Sequence, residues 1–229
     1  MAKGNLQAKI GYILHMFRME YKAFDFYEKA YAKGCTLPDP LAAYGLMLMR
    51  RKEYAKAVEV LRHARTLKLN PQQWSIVYQN LGLAYWKLGE IDRAVEIYEK
   101  IFEKVQTVNM YSTLGFLLIA QGDQTGDYQK ALDFNRKAYD YDDTDASVVD
   151  NLGQVLYRTG EIEEAEKMFE KGREKCAGMP VRFVLGDACH MDFADDTFDV
   201  VAIANSLHHV PDLGALLGEM KRVVKPGGL

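Results

Sequence analysis

Asn80-Leu-Gly-Leu-Ala-Tyr-Trp-Lys-Leu-Gly-Glu-Ile-Asp-Arg-Ala-Val-Glu-Ile-Tyr-Glu-Lys100 sets the frame for the rest of the chain. Its apolar residues recur every three or four positions, the spacing of one helix face. Gly89 interrupts the run near its middle, where a left-handed backbone reverses the chain at low cost only for glycine. The stretch therefore predicts two helices joined by a tight turn. Gly82 and Ala94 are the small residues in a bulky pattern, which places them where the two helices approach closely.

Working outward, the same arrangement returns on both sides. It reads Ile10-Gly11, Leu14, Ala23 and Tyr27, then Tyr44-Gly45, Leu48, Ala57 and Leu61. After Leu81-Gly82, Tyr85, Ala94 and Tyr98 come Leu114-Gly115, Leu118 and Ala131, and finally Leu152-Gly153, Leu156, Ala165 and Phe169. The five alanines stand 34, 37, 37 and 34 residues apart. A period of that length marks stacked supersecondary units, none able to bury its apolar face alone.

In these residues the chain resembles the tetratricopeptide repeat (TPR) family, whose unit is a helix–turn–helix of about 34 residues. The resemblance implies a mainly α fold: a right-handed solenoid over 1–179, with repeats at about 4–37, 38–71, 75–108, 108–145 and 146–179. Gly126 and Gly160 take the turn position of Gly89 in the last two units. Two departures stand out. Residues around Pro71–Trp74 lengthen the junction before the third unit, and Gly122-Asp-Gln-Thr125 inserts four residues in the fourth, where the turn should bulge.

The resemblance also implies where a partner sits, on the concave face formed by the first helix of each pair. The corresponding columns read Tyr12, His15 and Met16; Leu46, Met49 and Arg50; Gln79, Leu83, Trp86 and Lys87; Ser112, Phe116 and Ile119; Asp150, Gln154, Tyr157 and Arg158. This lining is aromatic and aliphatic, with Arg50, Lys87 and Arg158 on one edge. It suits an apolar or amphipathic peptide with some negative charge. The Asn and Lys with which some family members clamp acidic chaperone C-termini are replaced here by Ala8, Ala42 and Gln79 in one column and Tyr12, Leu46 and Leu83 in the other.

At Met179-Pro180 the helical period stops. Val181–Leu185 and Phe198–Ala204 read as short buried strands, and Asp212–Val223 as an amphipathic helix ended by Pro226-Gly227-Gly228. Gly186-Asp187-Ala188, Met191-Asp192-Phe193, Asp196–Val201, Leu207–Val210 and Met220–Gly228 resemble, in order and spacing, the middle of a class I S-adenosylmethionine-dependent methyltransferase. The resemblance implies a partial α/β segment over 180–229. It also implies cofactor contacts at Asp187, Ala188 and Asn205, to be made only if the rest of the domain is supplied. The family's glycine-rich loop after its first strand has no counterpart before Val181, so neither methyl transfer nor cofactor binding is expected of this chain alone.

Composition narrows the remaining classes. With 29 Lys+Arg against 32 Asp+Glu, net charge is −3, and there is no electrostatic case for nucleic acid or an anionic membrane. No apolar run approaches the roughly 20 residues of a spanning helix. Three cysteines are too few for a disulfide framework, pointing to a reducing, cytoplasmic setting. Cys189, His190, His208 and His209 match no metal-ligand spacing, and Cys189 has no base beside it. The expected function is a scaffold that binds a peptide or protein, with a TPR-containing methyltransferase as the alternative. A homodimer through the unpaired C-terminal strands is a further expectation.

Overall fold

In the computed structural model, residues 4–175, 184, 186–203, 210 and 212–229 are described. Ten helices fill the first part: α1 (Asn5–Met16), α2 (Glu20–Ala32), α3 (Pro38–Arg50), α4 (Tyr54–Arg65), α5 (Pro71–Leu88), α6 (Ile91–Phe102), α7 (Val108–Thr125), α8 (Gln129–Tyr141), α9 (Ala146–Thr159) and α10 (Ile162–Lys175). They pack in sequence order, α1 on α2, α3 on α4, and so on. Each pair also rests on the next through contacts such as α4 on α5, α6 on α7 and α8 on α9. This nearest-neighbour stacking is an α-solenoid. The chain divides into two compact units, Met1–Gly172 and Arg173–Leu229.

The small residues of the repeat sit at the crossings. A Cβ added to Gly82 would lie 2.6 Å from Tyr98 Cε2, and one on Gly45 2.7 Å from Leu61 Cγ, so any side chain there would drive the pair apart. Ala23, Ala57, Ala94 and Ala165 are fully buried. The fourth pair departs from the pattern, because Asn135 occupies the place held elsewhere by Tyr27, Leu61, Tyr98 and Phe169. It is fully buried against Gly115. Its Nδ2 donates to the carbonyls of Ala131 (2.9 Å) and Gly115 (3.3 Å), while its Oδ1 has no hydrogen-bond partner.

Two expected irregularities are absorbed into helices. Pro71 is the first residue of α5, and Asn70 caps it: Oδ1 accepts from the Gln73 N–H (2.8 Å) while Gln73 Oε1 accepts from the Asn70 N–H (3.1 Å). The lengthened junction is therefore an added turn at the start of α5. The insertion Gly122–Thr125 likewise extends α7 to Gly126, which caps it at φ 77°, and makes no bulged turn. Four residues nearly match the 3.6 of one helical turn, so the core face keeps its register. Gly89 and Gly160 take φ 84°, but the first two repeats place Arg18 (φ 57°) and Lys52 (φ 62°) at this position, side-chain-bearing residues in the left-handed region that glycine favours.

In the second unit, α11 (Leu213–Val223) is capped by Asp212, whose Oδ1 accepts from the Ala215 N–H at 2.9 Å. Arg222 fastens the preceding loop to this helix. Its guanidinium donates to the Met191 carbonyl (2.8 Å), the Phe193 carbonyl (2.6 Å), Asp195 (2.8 Å) and Glu219 (2.7 and 2.8 Å). Hydrogen bonds from Arg222 and then from the Met191 N–H hold the Glu219 carboxyl down at about 2. The expected strand Phe198–Ala204 is not formed among the described residues. Phe198 makes an isolated parallel bridge to Val224, and the Val201 N–H reaches the Leu229 carbonyl at 2.8 Å. One pair of short extended segments with no flanking strand does not complete a ladder. The expected strand at Val181–Leu185 falls largely outside the described residues.

Candidate functional site

The helix pattern brings the first helices of successive pairs side by side, α3 against α5 and α7 against α9. Where α5, α7 and α9 meet, a cleft of about 460 Å³ opens, walled by Leu83, Trp86 and Phe116 and floored by Tyr98 and Leu117. Trp86 and Phe116 meet edge to face with ring centroids 5.5 Å apart. Ser112, Thr113, Ser147 and Asp150 complete the rim, and Asn151 is buried below it. Asn151 Nδ2 donates to the Ser112 carbonyl at 2.8 Å and ties α9 to α7 beneath the cleft. Burial pushes the Tyr98 phenol up, so it stays neutral.

The sequence-predicted lining is distributed unevenly. Leu83, Trp86 and Phe116 come together in this cleft. Lys87 lies beside it, its ammonium 4.0 Å from the Trp86 ring centroid. Tyr12 lines a different cleft of about 500 Å³ with Lys9, Ile13, Leu37, Asp39 and Gln73. His15 turns to the core, with Nδ1 3.3 Å from the Tyr27 hydroxyl. Met49 and Ile119 are 8% and 1% exposed and belong to the core, which removes them from any binding face. Both sit where the helix turns its column inward against the neighbouring pair. Gln79 donates to Ser75 Oγ (2.9 Å), Gln154 donates to Asp150 Oδ2 (2.7 Å), and Tyr157 is exposed.

The expected basic edge is largely neutralised. Arg158 Nε donates to Asp123 Oδ1 at 2.7 Å, an aspartate supplied by the inserted turn of α7 and also bound by the Tyr128 hydroxyl (2.8 Å). Arg50 lies 3.6 Å from Glu20. Among the described residues, Asp150 is the one charged residue lining the cleft. Sequence columns included Asp150 and Ser112 but missed Ser147 and Asn151, which flank Asp150 on α9, and Thr113 next to Ser112.

In the second unit, Asp187 Oδ1 accepts from the Cys189 N–H (2.8 Å) and Oδ2 pairs with His190 Nδ1 (3.0 Å). Hydrogen bonds from His190 and then from the Cys189 backbone hold the Asp187 carboxyl below its usual range, and the same pairing lifts His190. Cys189 is buried against the Asp212 carbonyl; desolvation and the nearby Asp187 and Asp212 carboxylates raise its thiol, leaving a poor nucleophile. Ala188 is exposed beside this turn, and Asn205 lies outside the described residues. Asp187 spends one lone pair of each oxygen on these bonds and keeps accepting capacity on both, so they leave it able to take a further donor such as an adenine amino group. Among the described residues no group of three His, Cys, Asp or Glu side chains is placed to hold a metal ion, and no helix is long and apolar enough to cross a membrane.

Comparison with known proteins returns two families. A tetratricopeptide-repeat profile matches residues 76–103, and a methyltransferase-domain profile matches 145–229. The second match begins at the cap of α9, so it reaches across the fifth helix pair as well as the tail and covers more than the roughly 50 residues of the motif resemblance. Demethylmenaquinone methyltransferases of Staphylococcus aureus strains MRSA252 and JH9 are 34% identical over 163 residues, 71% of this chain and 60% of each relative. The chain thus spans about 60% of the length of the curated relatives it matches. A match of 163 residues is longer than 145–229 and extends into the repeats. Among solved structures, YrrB, a TPR protein with an unusual peptide-binding site, superposes with a TM-score of 0.62 at 17% identity, covering 76% of this chain and 86% of its own. MamA 41-end from Desulfovibrio magneticus RS-1 gives 0.62 at 20% identity, covering 79% and 99%. These likenesses establish the TPR fold.

Proposed function

From a chain that carries tetratricopeptide repeats followed by a methyltransferase-like segment, we propose a protein-interaction scaffold that holds a peptide in the cleft between α5, α7 and α9. The observation that carries it is the Leu83–Trp86–Phe116 wall, an apolar, aromatic recess on three adjacent first helices with polar groups at its rim. Such a recess anchors a side chain while the rim fixes the peptide backbone. The test is fluorescence polarisation with a peptide selected from a random library on the intact chain. Trp86→Ala is expected to weaken binding by tenfold or more, in keeping with truncation of a buried aromatic anchor. Unchanged affinity overturns the cleft assignment.

A second reading is supported by the methyltransferase-domain match. There the repeats recruit a protein substrate, and S-adenosylmethionine binds only once further strands complete the segment. Helices α9 and α10 occupy residues 146–159 and 162–175, inside that match and ahead of Asp187. A helix pair packed as a repeat does not supply the strand and glycine-rich turn that cradle such a cofactor. Calorimetry with S-adenosylmethionine on this chain is expected to show no binding at micromolar concentration; micromolar affinity makes the enzyme reading the better one.

A further inference from the structure

The charge arrangement around the cleft specifies more than an apolar ligand. Among the described residues Asp150 is its one charged lining residue, and Gln154 Nε2 bonds to Oδ2 only; Oδ1 receives no donor from them. Of the nearby cations, Arg158 is paired with Asp123, and Lys87 stands over the Trp86 ring at the cleft's edge. A ligand carboxylate entering here would meet Asp150 and find Arg158 already paired. A ligand cation would meet the Asp150 carboxylate, with the Phe116 ring beside it, while the Trp86 ring already carries the Lys87 ammonium and serves the apolar stem. The apolar walls suit the methylene stem of a long basic side chain, which packs along apolar surface while its charged head stays at a polar rim.

We infer that the cleft between α5, α7 and α9 receives a lysine or arginine side chain of the bound peptide, its stem against Leu83, Trp86 and Phe116 and its cation at Asp150. This rests on the scaffold reading above and reverses the charge preference that the sequence columns suggested. Asp150 sets specificity, and Trp86 with Phe116 sets affinity.

The experiment uses the intact chain and a positional-scanning library of hexapeptides, N-acetylated and C-amidated so that the termini carry no charge. On the unmodified protein, pools fixed as Lys or Arg at one position are expected to bind at least fivefold better than pools fixed as Asp or Glu. Asp150→Asn should erase that preference, and Asp150→Lys should invert it, with both variants keeping the parent circular dichroism and melting profile. Preference for Asp or Glu on the unmodified protein overturns the inference while leaving the scaffold reading intact. So does an Asp150→Lys variant with unchanged selectivity. If no pool distinguishes the unmodified protein from Trp86→Ala, the scaffold reading fails and the inference fails with it.

Discussion

Alanine in place of glycine should have opposite effects at two equivalent positions of this solenoid. Gly82 and Gly153 occupy the same column of the repeat, each in the interior of a first helix, and in isolation each exchange gains about 0.5–1 kcal/mol from the lower flexibility of the unfolded chain. At Gly82 the new Cβ would stand 2.6 and 2.9 Å from the Tyr98 ring and 3.2 Å from Ile97 Cγ2. Tyr98 is buried and its ring cannot bend aside, so overpacking should cost about 1–3 kcal/mol and outweigh the gain. At Gly153 the nearest atoms, Met168 Cβ and Phe169 Cζ, lie at 3.4 Å, an ordinary contact. Gly82→Ala is thus expected to lose about 0.5–2 kcal/mol and Gly153→Ala to gain about 0.5–1 kcal/mol. For a chain of this length each kcal/mol moves the melting temperature by about 2–4 °C. Urea titration and thermal melts followed by far-ultraviolet circular dichroism measure both. A shift of the same sign in the two variants would refute the crossing geometry.

Three further outcomes follow from the same structure. Lys52→Gly should raise stability by about 0.5–1 kcal/mol in urea titration, because a non-glycine residue in the left-handed region costs about 1–2 kcal/mol and glycine's extra unfolded freedom recovers only part of that. Asn135→Leu, which restores the residue type of Leu61 and removes an acceptor without a partner, should stabilise by about 1 kcal/mol by the same assay; a loss would mean the Nδ2 bonds to Ala131 and Gly115 outweigh the orphaned oxygen. The Asp187–His190 pair should show in an NMR titration of the His190 ring, whose midpoint is expected above the ordinary value of 6.5 and should fall back in Asp187→Asn. The histidine's contribution is full below its ordinary range and disappears as pH rises through its raised value. The aspartate's is full above the ordinary carboxylate range and disappears as pH falls through its lowered one.

The helix pairs were legible because their cause is local: small residues at crossings and a turn glycine at a fixed offset leave a periodic trace. Positions 18 and 52 are harder to read, since Arg and Lys hide a left-handed turn that glycine announces at 89. The two added turns of α5 and α7 looked like loops, because sequence spacing alone does not distinguish an insertion of one helical turn from a bulge. At the site, Leu83, Trp86 and Phe116 were legible as a column on one face. Ile119 and Met49 were not, because a column gives an angle around the helix and does not say how far the neighbouring pair extends over it. The sign of the rim charge was illegible for a different reason. It depends on Asp123 reaching Arg158 across 35 positions, a pairing set by the inserted turn. In the tail, composition suggested two strands, but extended pairing needs neighbours, and the described residues form only the isolated Phe198–Val224 bridge.

The central claim, that the recess on α5, α7 and α9 is where this protein holds its partner, is tested most directly by NMR of the intact, isotope-labelled chain titrated with the best-binding hexapeptide. The account predicts saturable shifts of the Trp86 indole N–H and of the Phe116, Ser147 and Asp150 amides, while the Trp74 indole stays in place. Shifts centred on the Tyr12–Asp39 cleft or on residues 186–229, with the Trp86 indole unmoved, would contradict it.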